Sequence, residues 1–217
     1  AAPPVGEKRW LPPEPVKLWP GVRAARTDGN VAPQNPPESS VILDIAAIKD
    51  EIQSEDCLYL NVWTPGADNK RRPVLFWIHG GAFQQGAGSR ATYSGKSLAK
   101  RGDVVVVTIN YRMGSLGFLS LNEITGGDIP ASGNEGLLDQ IAALEWVRDN
   151  ISNFGGDPEN VTIFGNSAGG MSVATLLAMP DARGLFHKAI PQSGAASSVY
   201  TPDQATKVAG MFLKAAD

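Results

Sequence analysis

Short apolar runs alternate along this chain with stretches whose apolar residues recur every three or four positions. The runs at 58–64, 73–78, 104–109, 161–164 and 189–192 predict strands, and the run at 104–109 is of the kind that is buried on both faces of a parallel sheet. Helical patterns occupy 94–100, 135–153, the residues from 168 to about 179, and 204–216. Strands that alternate with helices predict an α/β fold, with a mainly parallel sheet flanked by helices. No internal repeat or linker divides the chain, so we expect one domain over 1–217.

The first forty residues differ from the rest because they are rich in proline. Proline removes a backbone donor and fixes φ, so this segment cannot form a regular helix or a central strand. We expect an irregular segment that lies across the surface of the domain. Trp10 and Trp19 are predicted to anchor it by packing onto the domain.

A strand at 161–164 runs into Gly165-Asn166-Ser167-Ala168-Gly169, and a helical pattern follows at once. A strand that turns directly into a helix leaves its central residue in a strained conformation with the side chain pointing outward, which is the pattern of a nucleophile elbow. Gly165 and Gly169 leave room for the turn, since a Cβ there would collide with neighbouring elements. A serine at a helix start is more often an N-cap, but the strand before it and the helix after it favour a nucleophile.

The strand at 73–78 is followed by His79-Gly80-Gly81-Ala82-Phe83. This loop is similar to the loop of lipases and esterases that supplies backbone N–H donors to an oxyanion. Such donors stabilise the charge that develops on a carbonyl oxygen during attack by serine, at about 3 to 4 kcal/mol each. We assign the donors to Gly81, Ala82 and Ala168. A glycine-rich turn without this role is the alternative, which the elbow makes the poorer interpretation.

Composition and charge exclude some classes of function. The net charge is −3 and the basic residues are scattered, so neither a nucleic acid nor an anionic membrane surface is an expected partner. No apolar run reaches the roughly 20 residues that span a bilayer. The first residues have no signal-peptide pattern, but they need not be the native start, and the sequence leaves the localisation open. The single cysteine, Cys57, excludes an internal disulfide and is expected to be a small buried apolar residue.

Several motifs in order resemble those of the type B carboxylesterases, the cholinesterase-like branch of the α/β-hydrolases. They include Ser-Glu-Asp-Cys-Leu-Tyr-Leu-Asn-Val at 54–62, Asn-Tyr-Arg at 110–112 and Asn-Phe-Gly-Gly-Asp-Pro at 153–158. The segments 2–10, 79–83, 114–118, 133–140 and 165–169 match as well, so the resemblance covers nearly the whole chain. It implies an α/β-hydrolase fold of which this chain is the front and central part, without its C-terminal part.

The resemblance also implies roles for individual residues. Ser167 would be the acylated nucleophile, Gly81, Ala82 and Ala168 the oxyanion hole, and His79, Gly80, Phe83 and Asn166 would line the substrate pocket or support the loop. Buried pairs of Arg9 with Glu55 and of Arg112 with Asp139 would tie loops to the sheet. Two departures stand out. Asn166 replaces a glutamate that is common beside the nucleophile, and Ala32 stands where many members have a cysteine that bonds to the counterpart of Cys57.

A serine nucleophile needs a histidine base and a carboxylate, which follow the serine in α/β-hydrolases. The only histidine after Ser167 is His187, just before the strand at 189–192, and therefore roughly 16 Å from the end of the sheet where active sites form. His79 begins the loop and is expected to hold its geometry. The resemblance places both missing members beyond Asp217, so we expect the remaining part of the enzyme, or a partner chain, to complete the fold.

These observations predict a serine carboxylic-ester hydrolase that forms an acyl-enzyme and uses neither a metal nor a cofactor. The substrate is expected to be a small-molecule ester with a bulky or aromatic group. A non-catalytic binding or adhesion module on the same fold is one alternative, although such relatives typically lose the serine. A peptidase or a transacylase is the other, because it shares the elbow and the oxyanion hole.

Overall fold

The computed structural model describes residues 1–35, 51–197 and 199–216. Five strands and five α-helices alternate through most of this part of the chain. The strands are β1 (Leu60–Trp63), β2 (Arg72–Ile78), β3 (Val105–Ile109), β4 (Gly156–Asn166) and β5 (Lys188–Gln192). The helices are α1 (Lys96–Gly102), α2 (Gly114–Phe118), α3 (Glu135–Asn150), α4 (Ala168–Leu176) and α5 (Pro202–Ala216).

The five strands form one sheet in the order β1-β3-β2-β4-β5. β1 is antiparallel to β3, and the other neighbours are parallel. All five residues of β3 are buried, as expected for a strand that is covered on both faces. The predicted α/β fold with a mainly parallel sheet is therefore confirmed. The carboxyl ends of β2, β3, β4 and β5 meet at one edge of this sheet, where the elbow and the loop from His79 lie.

The boundaries of β4 and of the helix predicted at 135–153 differ from those predicted, and the other predicted elements differ from the observed ones by one to three residues at an end. β4 begins at Gly156, because Gly156 pairs with Arg72 of β2 across a register shift and extends the strand to five residues before the predicted run at 161–164. The predicted helix 135–153 ends as an α-helix at Asn150 and continues as a 3₁₀ turn over Ile151–Phe154, which Gly155 closes at φ 75°. The short helix α2 was not predicted, since glycines at both Gly114 and Gly117 make its sequence a poor helix former.

The proline-rich segment is irregular over residues 1–35 apart from one 3₁₀ turn and one bridge, as predicted, and its residues 36–40 lie outside the described part. Trp10 is an anchor: its Nε1–H donates to the carbonyl oxygen of Ser115 at 2.8 Å, and its ring packs against a small apolar cluster. The prediction for Trp19 is wrong. Its side chain remains 43% exposed, and the guanidinium of Arg23 lies 3.9 Å above its ring.

Both predicted ion pairs are present. Arg112 donates from Nε and Nη2 to the two carboxylate oxygens of Asp139, at 2.8 and 2.7 Å, and both side chains are buried. Arg9 makes the same two-point contact with Glu55, but this pair is only partly buried. An uncompensated charge at a buried site costs about 3 to 5 kcal/mol. The Arg112–Asp139 pair therefore holds the segment after β3 firmly to α3.

Cys57 lies in the main apolar core together with Ala32. Burial raises the pKa of its thiol to about 12, so the group is an uncharged, poorly reactive core residue as expected. None of the helices that the structure describes is long and apolar enough to cross a membrane.

Candidate active site

Ser167 occupies the single residue between the end of β4 and the start of α4. Its backbone has φ 56° and ψ −122°, a conformation that a residue with a Cβ rarely adopts. The Ser167 N–H donates to the carbonyl oxygen of Gln192, at the end of β5, with a distance of 2.8 Å. At Gly169 the helix passes so close to β2 that an added Cβ would lie 2.1 Å from the carbonyl oxygen of Ile78. The strain at Ser167 is thus fixed by neighbours on both sides.

The loop after β2 lies directly beside this serine. A Cβ built on Gly80 would lie 3.2 Å from the Cβ of Ser167 and 2.5 Å from the carbonyl oxygen of Asn166. Gly81, Ala82 and Phe83 all have positive φ, at 120°, 55° and 60°. Three consecutive residues with positive φ indicate a strained backbone that the surrounding structure must hold in place.

The loop turns back on the carbonyl oxygen of Gly81, which accepts from the N–H groups of Gln84 and Gln85 at 2.9 and 3.0 Å. Within the described part of the chain, the N–H groups of Gly81 and Ala82 donate to no backbone or side-chain acceptor. The N–H of Ala168 lies in the first turn of α4, where a helix leaves its N–H groups without intrahelical partners. The assigned donors are therefore free of the contacts that would otherwise occupy them.

His79 is fully buried at the start of the loop. Its Nδ1 lies 2.9 Å from the carbonyl oxygen of Gly80, and its ring stacks on that of Tyr111 with centroids 4.4 Å apart. Burial lowers the pKa of the imidazole to about 4, with a further lowering from the charge of Arg90 and a partial offset from the Gly80 contact. The neutral ring therefore holds the loop, with its Nδ1 directed to the loop backbone.

The lowered pKa of His79 predicts an acid-dependent loss of stability. The unfolded chain takes up a proton near pH 6.5, whereas the folded chain resists it until about pH 4. The unfolding free energy should therefore fall as the pH drops from about 6.5 to 4, by about 2 to 3 kcal/mol at pH 4.5. Urea titrations at pH 7 and pH 4.5 would measure it.

His79→Gln should remove this part of the pH dependence even if it lowers stability at pH 7. An equal difference between pH 7 and pH 4.5 in the wild type and in His79→Gln would contradict the prediction.

His187 lies at the opposite end of β5 from the elbow. Its Nδ1 accepts the N–H of Val161 at 3.1 Å, and its Nε2 is 3.8 Å from a carboxylate oxygen of Glu159. Gln192, the last residue of β5, is five positions further along the chain and its carbonyl oxygen contacts Ser167, so His187 is roughly 16 Å from that edge of the sheet. His187 is thus remote from Ser167, whereas His79 turns its Nδ1 to the backbone of the loop.

A cavity of about 1050 Å³ opens beside the loop. Its lining includes Ala82 and Phe83, residues of α2 and of the start of α3, and Tyr200 with residues of α5. Ligand pockets commonly enclose about 300 to 1,000 Å³, so there is room for a sizeable apolar group. Phe83 lines this cavity, whereas the exposed Asn166 is on the rim of the elbow and is not among its walls.

The sequence interpretation missed one contact at this site, that of Tyr111. Its hydroxyl donates to the carbonyl oxygen of His79 at 2.9 Å. The position of Tyr111, two residues after the end of β3, could have indicated this, because β3 ends beside β2 at the same edge of the sheet.

Residues 1–216 match the family model described as the carboxylesterase family. The chain belongs to the carboxylesterase family. The fold described above is accordingly the α/β-hydrolase fold of that family, with the strained serine at the expected place between β4 and α4.

Individual carboxylesterases and their relatives are similar over nearly all of the chain. Para-nitrobenzyl esterase of Bacillus subtilis is 52% identical over 99% of this chain and 42% of its own length. A crystal structure of a carboxylesterase of Geobacillus stearothermophilus superposes with a TM-score of 0.89 at 53% identity, over 99% of this chain and 42% of that one. Neuroligin-2 of Mus musculus is 42% identical over 93% of this chain and 27% of its own length.

The chain spans about two fifths of the length of the esterases it matches. Similarity at this level also extends to a protein that is not named as an esterase. Membership of the family therefore establishes the fold, and the reaction has to be argued from the site.

Proposed function

We propose that this chain carries the nucleophile and the oxyanion hole of a serine carboxylic-ester hydrolase. The observation that carries the proposal is the strained backbone of Ser167, with φ 56°, next to a loop whose N–H groups at Gly81 and Ala82 have no acceptor among the described residues. Strain of this kind is maintained only where the surrounding structure enforces it, and it is concentrated at functional sites. The similarity to para-nitrobenzyl esterase supports the same reaction class.

The proposed reaction proceeds through an acyl-enzyme. The hydroxyl oxygen of Ser167 attacks the ester carbonyl, and the N–H groups of Gly81, Ala82 and Ala168 stabilise the oxyanion that forms. The alcohol leaves with a proton, and water then releases the acid from Ser167. These steps require neither a metal nor a cofactor. The cavity beside Phe83 is suited to a bulky or aromatic part of a small ester.

The base and its carboxylate are proposed to come from the rest of the enzyme. His79 is buried with its Nδ1 turned to Gly80, and His187 lies at the wrong end of β5. The esterases that match are more than twice as long as this chain, which leaves ample sequence for both groups. A partner chain could supply them only by covering the same edge of the sheet.

Labelling with a fluorophosphonate tests the assignment of the nucleophile. In the complete enzyme, the reagent should modify Ser167 alone, because activation depends on the elbow and on a positioned base. Peptide mapping would locate the adduct, and Ser167→Ala should abolish it. Two other serines are internal controls: the buried Ser172, and Ser193, which follows the Gln192 that contacts Ser167. An adduct at either of them with Ser167 unmodified would overturn the proposal.

Two alternatives remain distinct in their expected results. In a non-catalytic binding or adhesion module on the same fold, Ser167 would not react with a fluorophosphonate at all. A peptidase or a transacylase would be labelled at Ser167 and would prefer an amide substrate or an acceptor other than water. A comparison of ester, amide and added-alcohol reactions separates these classes.

A further inference from the structure

Tyr111, two residues after the end of β3, contacts the start of the loop at 79–83. The residue is fully buried, its hydroxyl donates to the carbonyl oxygen of His79 at 2.9 Å, and its ring stacks on the imidazole at an interplanar angle of 17°. β3 is paired with β2 up to Trp77, two residues before His79. Tyr111 therefore reaches the loop from a neighbouring strand whose position is already fixed by the sheet.

The segment that follows β3, residues 110–118, contacts the loop at a second point. The N–H of Gly114 donates to the carbonyl oxygen of Phe83 at 2.7 Å. The ring of Phe118 packs against Phe83 with centroids 4.7 Å apart and meets Tyr111 edge-on at 6.4 Å. The segment thus holds the loop at His79 and at Phe83, and Gly81 and Ala82 lie between these two points.

The segment itself is held by the residue next to Tyr111. Arg112 is bound to Asp139 of α3 through its backbone N–H as well as its guanidinium, at distances of 2.7 to 2.9 Å. Its Nη1 also donates to the carbonyl oxygen of Leu11 at 2.8 Å. The side chain of Tyr111 consequently projects from a backbone that is fixed on both sides.

We propose that Tyr111 is a positioning residue for the oxyanion hole. By holding the carbonyl oxygen of His79, its hydroxyl fixes the course of the peptide units that follow, and these carry the N–H groups of Gly81 and Ala82. Donors stabilise a developing oxyanion only when they are directed to the place where the charge appears, so a small displacement of the loop weakens them. This inference rests on the proposed function, because it needs an oxyanion at that place.

Tyr111→Phe tests the inference in the complete enzyme, because it keeps the stacked ring and deletes one oxygen atom. We expect kcat for an activated ester to fall about 10- to 100-fold, with KM changed less than about twofold. The inhibition constant of a trifluoromethyl ketone, which forms a tetrahedral oxyanion on the serine, should rise by the same factor as kcat/KM falls. Tyr59→Phe is the matched control: its hydroxyl bonds to Asp56 at the protein surface, and its kinetics should stay those of the wild type.

A hydroxyl that merely satisfies the buried carbonyl would change thermal stability alone. Tyr111→Phe that folds by circular dichroism and keeps the wild-type kcat and inhibition constant would therefore overturn the inference. If this variant does not fold, Phe118→Leu decides, since it loosens the contacts on both Tyr111 and Phe83. Because Phe118 also lines the cavity, the inhibition constant of the ketone should rise by a larger factor than KM does, and equal changes in the two would overturn the inference as well. Wild-type turnover in Ser167→Ala would instead refute the proposed function.

Discussion

Replacing the backbone amide of Ala82 by an ester should lower kcat of the complete enzyme by about 10²- to 10³-fold, with little change in KM. The exchange inserts lactic acid at position 82, which keeps the methyl side chain and removes the N–H. This N–H has no acceptor among the described residues, so its loss should be felt chiefly when the oxyanion forms. Steady-state kinetics with an activated ester would measure both parameters.

Proline at position 82 would not give a clean test, although it also removes the N–H. Proline holds φ near −65°, whereas Ala82 has φ 55°, so the substitution would break the loop as well as delete the donor. The backbone ester has one side effect of its own. It weakens the carbonyl oxygen of Gly81 as an acceptor for the N–H groups of Gln84 and Gln85.

An ester at Gln84 is therefore the matched control. It deletes the N–H that donates to Gly81 and weakens the carbonyl oxygen of Phe83 as an acceptor for Gly114, so it loosens the loop but removes no proposed oxyanion donor. We expect its effect on kcat to be less than about tenfold, which is the range of one ordinary hydrogen bond. Equal losses of kcat in the two variants would show that the loop geometry, and not the N–H of Ala82, is responsible, and the donor would have to be assigned elsewhere.

The positions of Ser167 and of the loop at 79–83 could be predicted because each lies between elements with strong sequence signals. An apolar run that ends in Gly-x-Ser-x-Gly leaves few ways to continue, since the chain must turn beside β2 and Gly169 must pass a backbone oxygen of Ile78. The mainly parallel arrangement of the sheet followed from the alternation of strands with helices. The pairing of Arg112 with Asp139 came from the family resemblance, and its geometry is as expected.

Features that depend on contacts between distant segments could not be predicted in the same way. β4 extends back to Gly156 only because Arg72 lies opposite, and nothing near Gly156 in the sequence indicates a strand. Trp19 is a large apolar residue of the kind that can anchor a surface segment, but it remains exposed. A large apolar side chain does not by itself specify a surface that covers it. The contact of Tyr111 with His79 joins residues 32 positions apart and needs the sheet to bring them together.

The edge of the sheet at which Ser167 lies combines two kinds of support. At the elbow, the side-chain amide of Gln140 on α3 donates to the buried hydroxyl of Ser172 on α4 at 3.1 Å, so the helix that follows the nucleophile is fixed to α3. Beside the elbow, the loop is fixed by Tyr111 and by the backbone of Gly114. The serine and the proposed donors are thus held by separate contacts to rigid elements, which a preorganised site requires.

Residues 1–217 produced on their own should not hydrolyse esters at ordinary enzyme rates. His79 and His187 are the only histidines of the chain, and neither is placed as a base for Ser167. Without a base, at most the contribution of the oxyanion hole and of binding remains, which in a dissected triad is roughly 10³- to 10⁴-fold over water. Apolar side chains of α5 such as Met211, 66% exposed, should also make this polypeptide prone to aggregation.

The assay needs polypeptide of verified intact mass, free of any longer esterase, with a nitrophenyl ester as substrate. The background is set by Ser167→Ala of the same length, and we expect the two rates to be indistinguishable because an unactivated serine contributes little to a reaction that water already performs. If the wild-type rate exceeds that of Ser167→Ala, the variants His79→Gln and His187→Gln show which histidine is responsible. Turnover at enzyme rates that disappears in Ser167→Ala would mean that one of these histidines reaches the serine. Loss of that turnover in His187→Gln would further require β5 to be placed differently from the register with β4 described above.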